Sequence, residues 1–159
     1  MNVLGIDPGL NGALAIMDPV ERGFEIIDMP TVEVKRGNKL KREVSPALVF
    51  EALAGKGIEF AILERVGAMP GQGVTSMFSM GRSVGIIEGV IAAMGIPMTI
   101  VTPQKWQKAM EVRNGKDGAR ERAMQLFPMQ ADLFKRKKDD GRADAALIAL
   151  YGERYGRYV

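Results

Sequence analysis

The stretch that decides the fold is Val3–Met17, VLGIDPGLNGALAIM. Val3 to Asp7 is a short apolar run that ends in Asp7-Pro8-Gly9, the pattern of a buried strand breaking into a turn. Apolar residues resume over Gly12–Met17 after a turn rich in Gly and Asn. The two runs therefore read as a hairpin, and Gly23–Met29 reads as a third strand beside it. Such an opening predicts a sheet whose first strand carries a carboxylate, Asp7, at its end.

Working outward, Val32–Val44 is polar, with five Lys or Arg in the eight residues Lys35–Arg42, and reads as a solvated loop. Ser45-Pro46 opens a helix, with Ser as N-cap and Pro in the first turn. Leu48, Val49, Ala52 and Leu53 fall at helical spacing, and Gly55 and Gly57 stop it. Phe60–Leu63 is a fourth strand running straight into Glu64, followed by a Gly-rich loop from Gly67 to Gly73. A long helix over about Val74–Met94 carries Gly81, Gly85 and Gly89 in one ridge, a spacing that suits close approach by the sheet or a second subunit. Met98–Val101 is a fifth strand. Thr102-Pro103 starts a short helix through Met110, and Ala119–Leu126 is another, ended near Pro128. The basic run Lys135–Lys138 leads into a last helix, about Asp140–Tyr151, with Ala143, Ala146, Leu147 and Leu150 on its apolar face. This order predicts a single α/β domain over residues 1–159 with a mixed five-stranded sheet flanked by helices.

Composition limits the chemistry. The 159 residues contain no Cys and no His. Thiolate zinc sites, Cys nucleophiles and Ser-His-Asp triads are excluded, and a hard cation held by carboxylates becomes the leading option. Net charge is only +3, but basic residues concentrate at Lys35–Arg42, Lys105–Arg122 and Lys135–Lys138, which suits a polyanionic partner. The absence of a transmembrane run or a signal-like N-terminus predicts a cytoplasmic protein.

Four carboxylates are the candidate catalytic and metal-ligating set. Asp7 and Glu64 end strands, and the ends of neighbouring parallel strands share one crevice. Asp140 and Asp144 are four apart at the start of the last helix and share a face. Clustered like charges need cations to neutralise them. Nucleases meet that need with two divalent ions about 4 Å apart. Each residue alone also has a plain reading: Asp7 as a turn residue, Glu64 as a solvated strand end, Asp140 and Asp144 as charges favoured by the helix dipole.

Taken together, Leu4–Ala15, then Ile62-Leu63-Glu64-Arg65-Val66 with the Gly-studded helix behind it, then Asp140-Gly141-Arg142-Ala143-Asp144-Ala145-Ala146, resemble the RuvC family of Holliday junction resolvases, most of all its phage-type members. The resemblance implies an RNase H-like fold and a homodimer making paired nicks in branched DNA. It also implies a Mg2+ or Mn2+ site built from Asp7, Glu64, Asp144 and a carboxylate just before Asp144. Many relatives carry that carboxylate, or a His, where this chain has Gly141; Asp140 is the substitute and Asp139 the reserve. An aromatic that stacks on a junction base in the bacterial enzyme is replaced by Gly67, which leaves Met69 as a candidate apolar wedge. Lys105, Lys108, Arg113, Lys116 and Arg120 are candidate phosphate contacts, Lys116 falling where relatives keep a basic residue. Two other readings stay open: an inert or weakly catalytic branched-DNA-binding module, and an RNase H-like nuclease acting on RNA.

Overall fold

The computed structural model describes residues 2–156. Strands β1 (Asn2–Asp7), β2 (Ala13–Asp18) and β3 (Gly23–Asp28) form an antiparallel meander. Next come β4 (Thr31–Arg36), β5 (Lys39–Val44), α1 (Pro46–Leu53), β6 (Ile58–Glu64), α2 (Val74–Ala93), β7 (Met98–Val101), α3 (Pro103–Ala109) and α4 (Gly118–Leu126). Two 3-10 turns, Pro128–Phe134 and Lys137–Asp139, lead into α5 (Asp140–Tyr155). The main sheet has the order β3-β2-β1-β6-β7, with β6 and β7 parallel to β1. The expected mixed five-stranded sheet flanked by helices is thus what forms.

Alternation along β1 splits the core. Leu4 and Ile6, with Leu14 and Ile16 of β2, pack on Val49 and Leu53 of α1 and Ile87 and Ile91 of α2. The opposite face carries α5, whose Ala145, Ala146 and Ala149 pack with Trp106 and Phe134. The helix lies close because small residues meet small residues. A Cβ at Gly5 would stand 2.2 Å from the Ala145 carbonyl oxygen and 2.4 Å from the Ala149 nitrogen. Both faces of β1 are buried, as its continuous apolar run requires.

The basic segment is not a loop. Residues Thr31–Arg36 and Lys39–Val44 pair as a separate two-stranded ribbon, closing over Gly37-Asn38 with Gly37 at φ +62°. Its alternation is hidden because most of its side chains on both faces are exposed. The Gly-Asn pair is the tight-turn signal that marks it. The ribbon is tied down at one end by Glu43, which pairs with Arg36 at 3.0 Å and with Arg82 of α2 at 3.6 Å. Among the described residues no helix is long and apolar enough to cross a membrane.

Candidate active site

Asp7 and Glu64 end adjacent parallel strands, and the register pairs Ile6 with Leu63 one step before them. Their side chains therefore emerge side by side at the C-terminal end of the sheet. Asp144 joins from α5, on the turn after its start. The first turn of α5 is pinned to the β1–β2 turn by Gly141. A Cβ there would lie 2.3 Å from the Asn11 carbonyl oxygen and 2.8 Å from the Gly12 Cα. A carboxylate at position 141 would collide with that backbone, which accounts for the departure from the family pattern.

Among the described residues no Lys or Arg pairs with any of the three carboxylates; their charged neighbours are one another and, for Asp144, Asp140. Burial and then the Asp7 charge push Glu64 up to about 7. Burial, Asp7, Glu64 and Asp140 together push Asp144 up to about 8. Burial raises Asp7 as well, against a backbone N–H from Gly9 that donates to its Oδ1 at 3.3 Å. Trp106, fully buried, donates its indole N–H to Glu64 Oε1 at 3.2 Å and favours the ionised form. No signal in the sequence pointed to that bond, because 42 residues separate its partners.

Asp140 has different company. It is exposed and accepts a hydrogen bond at 3.0 Å from Arg120 Nε. Asp139, the reserve ligand, is 1% exposed and is held by the Arg136 backbone and guanidinium, with Arg142 nearby; these arginines hold its carboxyl below the usual range. It is fully committed to the start of α5 and does not reach the cleft. A cleft of about 650 Å³ is lined by Asp7, Asp140 and Asp144 on one side and by Ser79 and Ser83 of α2 on another, with Lys41 and Arg42 of the ribbon at its edge. Lys41 and Arg42 belong to the basic run Lys35–Arg42, which the sequence marks as suited to a polyanionic partner but reads as a loop.

The expected phosphate contacts are scattered. Lys105, Lys108 and Lys116 are exposed on and near α3 and α4, outside the cleft. Arg113 is exposed and ion-paired with Glu121. Met69 is 71% exposed on the loop after β6. Arg120 is a correction: it is 7% exposed. Its guanidinium is spent on Asp140, Asp117 and the carbonyls of Phe134 and Lys135, so it is a buried tie and not a surface contact.

An all-oxygen donor set without a competing Lys or Arg on Asp7, Glu64 or Asp144 fits a hard divalent cation. Among the described residues, no three carboxylates surround one point closely enough to grip an ion as placed. The arrangement is a mutually repelling cluster that a cation would draw in, and not a closed cage.

The sheet order, the helices on both faces and the strand-end cleft define the class: an RNase H-like α/β fold of the RuvC type. Thermus thermophilus RuvC, solved in complex with a Holliday junction substrate, matches at a TM-score of 0.68 and 18% identity over 99% of this chain and 95% of its own. The fowlpox virus resolvase, solved with Holliday junction DNA, matches at 0.55 and 17% identity over 97% of this chain and 98% of its own. At such identities the likeness establishes the fold. By sequence, 85 residues are 32% identical to the chloroplastic Holliday junction resolvase MOC1 of Chlamydomonas reinhardtii, a match spanning 52% of this chain and 10% of that protein. No family model matches the chain.

Proposed function

We propose that residues 1–159 form one RuvC-like nuclease domain that cuts branched DNA, Holliday junctions foremost, by metal-dependent phosphodiester hydrolysis. One observation carries the reading. Asp7, Glu64 and Asp144 come from three separate elements to one end of the sheet, and each is raised: Asp7 by burial, Glu64 by burial and the Asp7 charge, and Asp144 by burial and the charges of Asp7, Glu64 and Asp140, with no Lys or Arg paired to any of the three among the described residues. The fold neighbours that share this architecture were solved on Holliday junction DNA. Asp7, Glu64 and Asp144 would hold Mg2+ or Mn2+, with Asp140 at the rim. When bound, such ions supply an activated water and stabilise the leaving oxygen. The chain's own part is to fix three carboxylates on rigid strand and helix ends, with Trp106 orienting Glu64. Lys41 and Arg42, at the cleft edge, are suited to phosphates of the bound strand, and Lys105, Lys108 and Lys116 to more distant ones.

Paired nicks need two such sites, and α2 offers the surface for a homodimer. Cβ atoms at Gly81, Gly85 and Gly89 would meet nothing within 4 Å, so the ridge faces outward. Val74 and Phe78 on the same helix are 79% and 74% exposed. A helix with that face open is suited to close packing against its own copy.

The deciding experiment is cleavage of a synthetic four-way junction beside a linear duplex of the same sequence, with Mg2+, with Mn2+ and with EDTA. Paired, metal-dependent nicks confined to the junction support the reading. Junction binding without cleavage in either metal leaves an inert binding module. Cleavage of RNA in preference to the junction transfers the activity to RNA.

A further inference from the structure

A second cleft, of about 660 Å³, adjoins the acidic one and shares with it Leu10–Gly12, Arg42, Asp140 and Gly141. Its walls carry five cations, Arg42, Arg136, Lys137, Lys138 and Arg142, and three carboxylates. Each of those carboxylates is already paired with an arginine. Arg142 grips Asp28 through two bonds of 2.7 and 2.8 Å, Arg136 holds Asp139 at 2.9 Å, and Arg120 holds Asp140 at 3.0 Å. What is left over is positive. Arg42 gives its guanidinium only to neutral acceptors, the Leu10 carbonyl, the Asn11 side-chain oxygen at 3.1 Å and the Thr31 hydroxyl at 3.3 Å. Lys137 and Lys138 are exposed on a short 3-10 turn, and among the described residues neither is in an ion pair.

We propose that this groove is a track for the sugar-phosphate backbone of the DNA strand that runs on from the carboxylate cleft, with Arg42, Lys137 and Lys138 as its phosphate contacts. The inference rests on the nuclease reading above and names where the substrate goes beyond the cut. Its logic is charge alternation. The cleft that does the chemistry is acidic and repels a phosphate backbone by itself. A positive groove continuous with it, anchored by internally neutralised arginines, offsets that repulsion and fixes the register of the strand. Arg42 belongs to both clefts and stands where the strand would pass from one to the other.

The test is a comparison of two double variants that each remove two charges. Lys137→Ala with Lys138→Ala removes the groove's two lysines. Lys56→Ala with Arg154→Ala removes the same charge at the other end of the sheet and of α5. Fluorescence anisotropy with a four-way junction and with a duplex, in EDTA across a salt series, reads affinity and its salt slope. The groove variant is expected to bind about tenfold more weakly, with the slope of log K against log salt shallower by about one to two, the signature of lost phosphate contacts. The control variant should stay near wild type. Equal losses in both variants, or no loss in the groove variant, would overturn the proposal. The nuclease reading fails differently. A wild-type protein that binds both DNAs alike and never cuts the junction defeats the branched-DNA reading, while the difference between the variants still decides the groove.

Discussion

Two sets of carboxylates stand around the first turn of α5 and keep opposite company. Asp28, Asp139 and Asp140 are each paired with an arginine. For Asp28 and Asp139 that pairing holds the carboxyl below its usual range. Asp7, Glu64 and Asp144 have no arginine or lysine partner among the described residues, and all three are raised. The chain has 22 Lys and Arg to distribute, so the omission is local and not a shortage. An arginine among the three would have stabilised the fold and displaced any divalent cation. Proteins tolerate such unrelieved charge chiefly at functional sites.

Removing one member of the unrelieved set should have the largest effect. Asp7→Asn keeps the shape and deletes a charge that a cation would need. Cleavage of a four-way junction is expected to fall by roughly a thousandfold or more, since metal-held charge stabilisation is worth several kcal/mol. Junction affinity measured by anisotropy should hold within a few fold. Full activity in the variant would remove Asp7 from the site.

The same set should make the metal-free protein sensitive to pH. Both Glu64, near 7, and Asp144, near 8, hold their protons more tightly folded than unfolded. Their contribution to stability is therefore present below the ordinary carboxylate range and lost as pH rises through about 7 and 8. In EDTA, Tm should fall as pH rises from roughly 4 to 8 and level off above, and Asp144→Asn should be the more stable protein at the upper end. Each tenfold change in an acidity constant is worth about 1.4 kcal/mol. Even a modest part of the Asp144 shift would appear as roughly 3–6 °C in a chain of this size. Mg2+ should reverse the trend for the unmodified chain only. A flat Tm in EDTA would mean that the cluster is hydrated and not strained.

How much of this is legible without coordinates follows from what each residue depends on. Asp7 and Glu64 were readable because a strand end is a local feature and neighbouring parallel strands finish together. The sheet itself was readable from apolar runs punctuated by Gly and Pro. The β4–β5 ribbon was not, because most of it is exposed and five Lys or Arg crowd its turn, so the short Val32/Val34 alternation is swamped; only Gly37-Asn38 betrays its turn. Spacing places Asp140 and Asp144 on one face equally well whichever residue begins α5. It cannot show that Asp139 folds back on Arg136 or that Arg120 claims Asp140. Arg120 looked like a surface cation because burial of a long polar side chain depends on the carbonyls of a distant segment, Phe134 and Lys135.

Trp106 sharpens the comparison from the other side, since its side chain tempers Glu64 as the Gly9 backbone N–H tempers Asp7. Trp106→Phe retains most of the buried ring and deletes the N–H that orients Glu64. Groups that orient metal ligands typically contribute about 10–100-fold to affinity or activity. The expected outcome is a loss of that order in Mn2+ affinity by titration calorimetry, with a matching loss in cleavage at low metal that recovers at high metal. Unchanged affinity would mean that Glu64 merely satisfies the indole.

The smallest effect should come from Asp140, although spacing alone ranks it with Asp144. Its partner Arg120 is buried, bonds two backbone carbonyls and a second carboxylate, and so is not free to release it at low cost. Asp140 nevertheless contributes to the raised pKa of Asp144, which places its charge within reach of the cluster. If Arg120 keeps Asp140 at the rim throughout, Asp140→Asn should lower cleavage by less than about tenfold, a loss of no more than about 1.4 kcal/mol in transition-state stabilisation. Metal affinity should change little. A loss equal to that of Asp7→Asn would instead show that Asp140 leaves Arg120 for the cation, making the boundary between the two sets of carboxylates one that the bound metal can move.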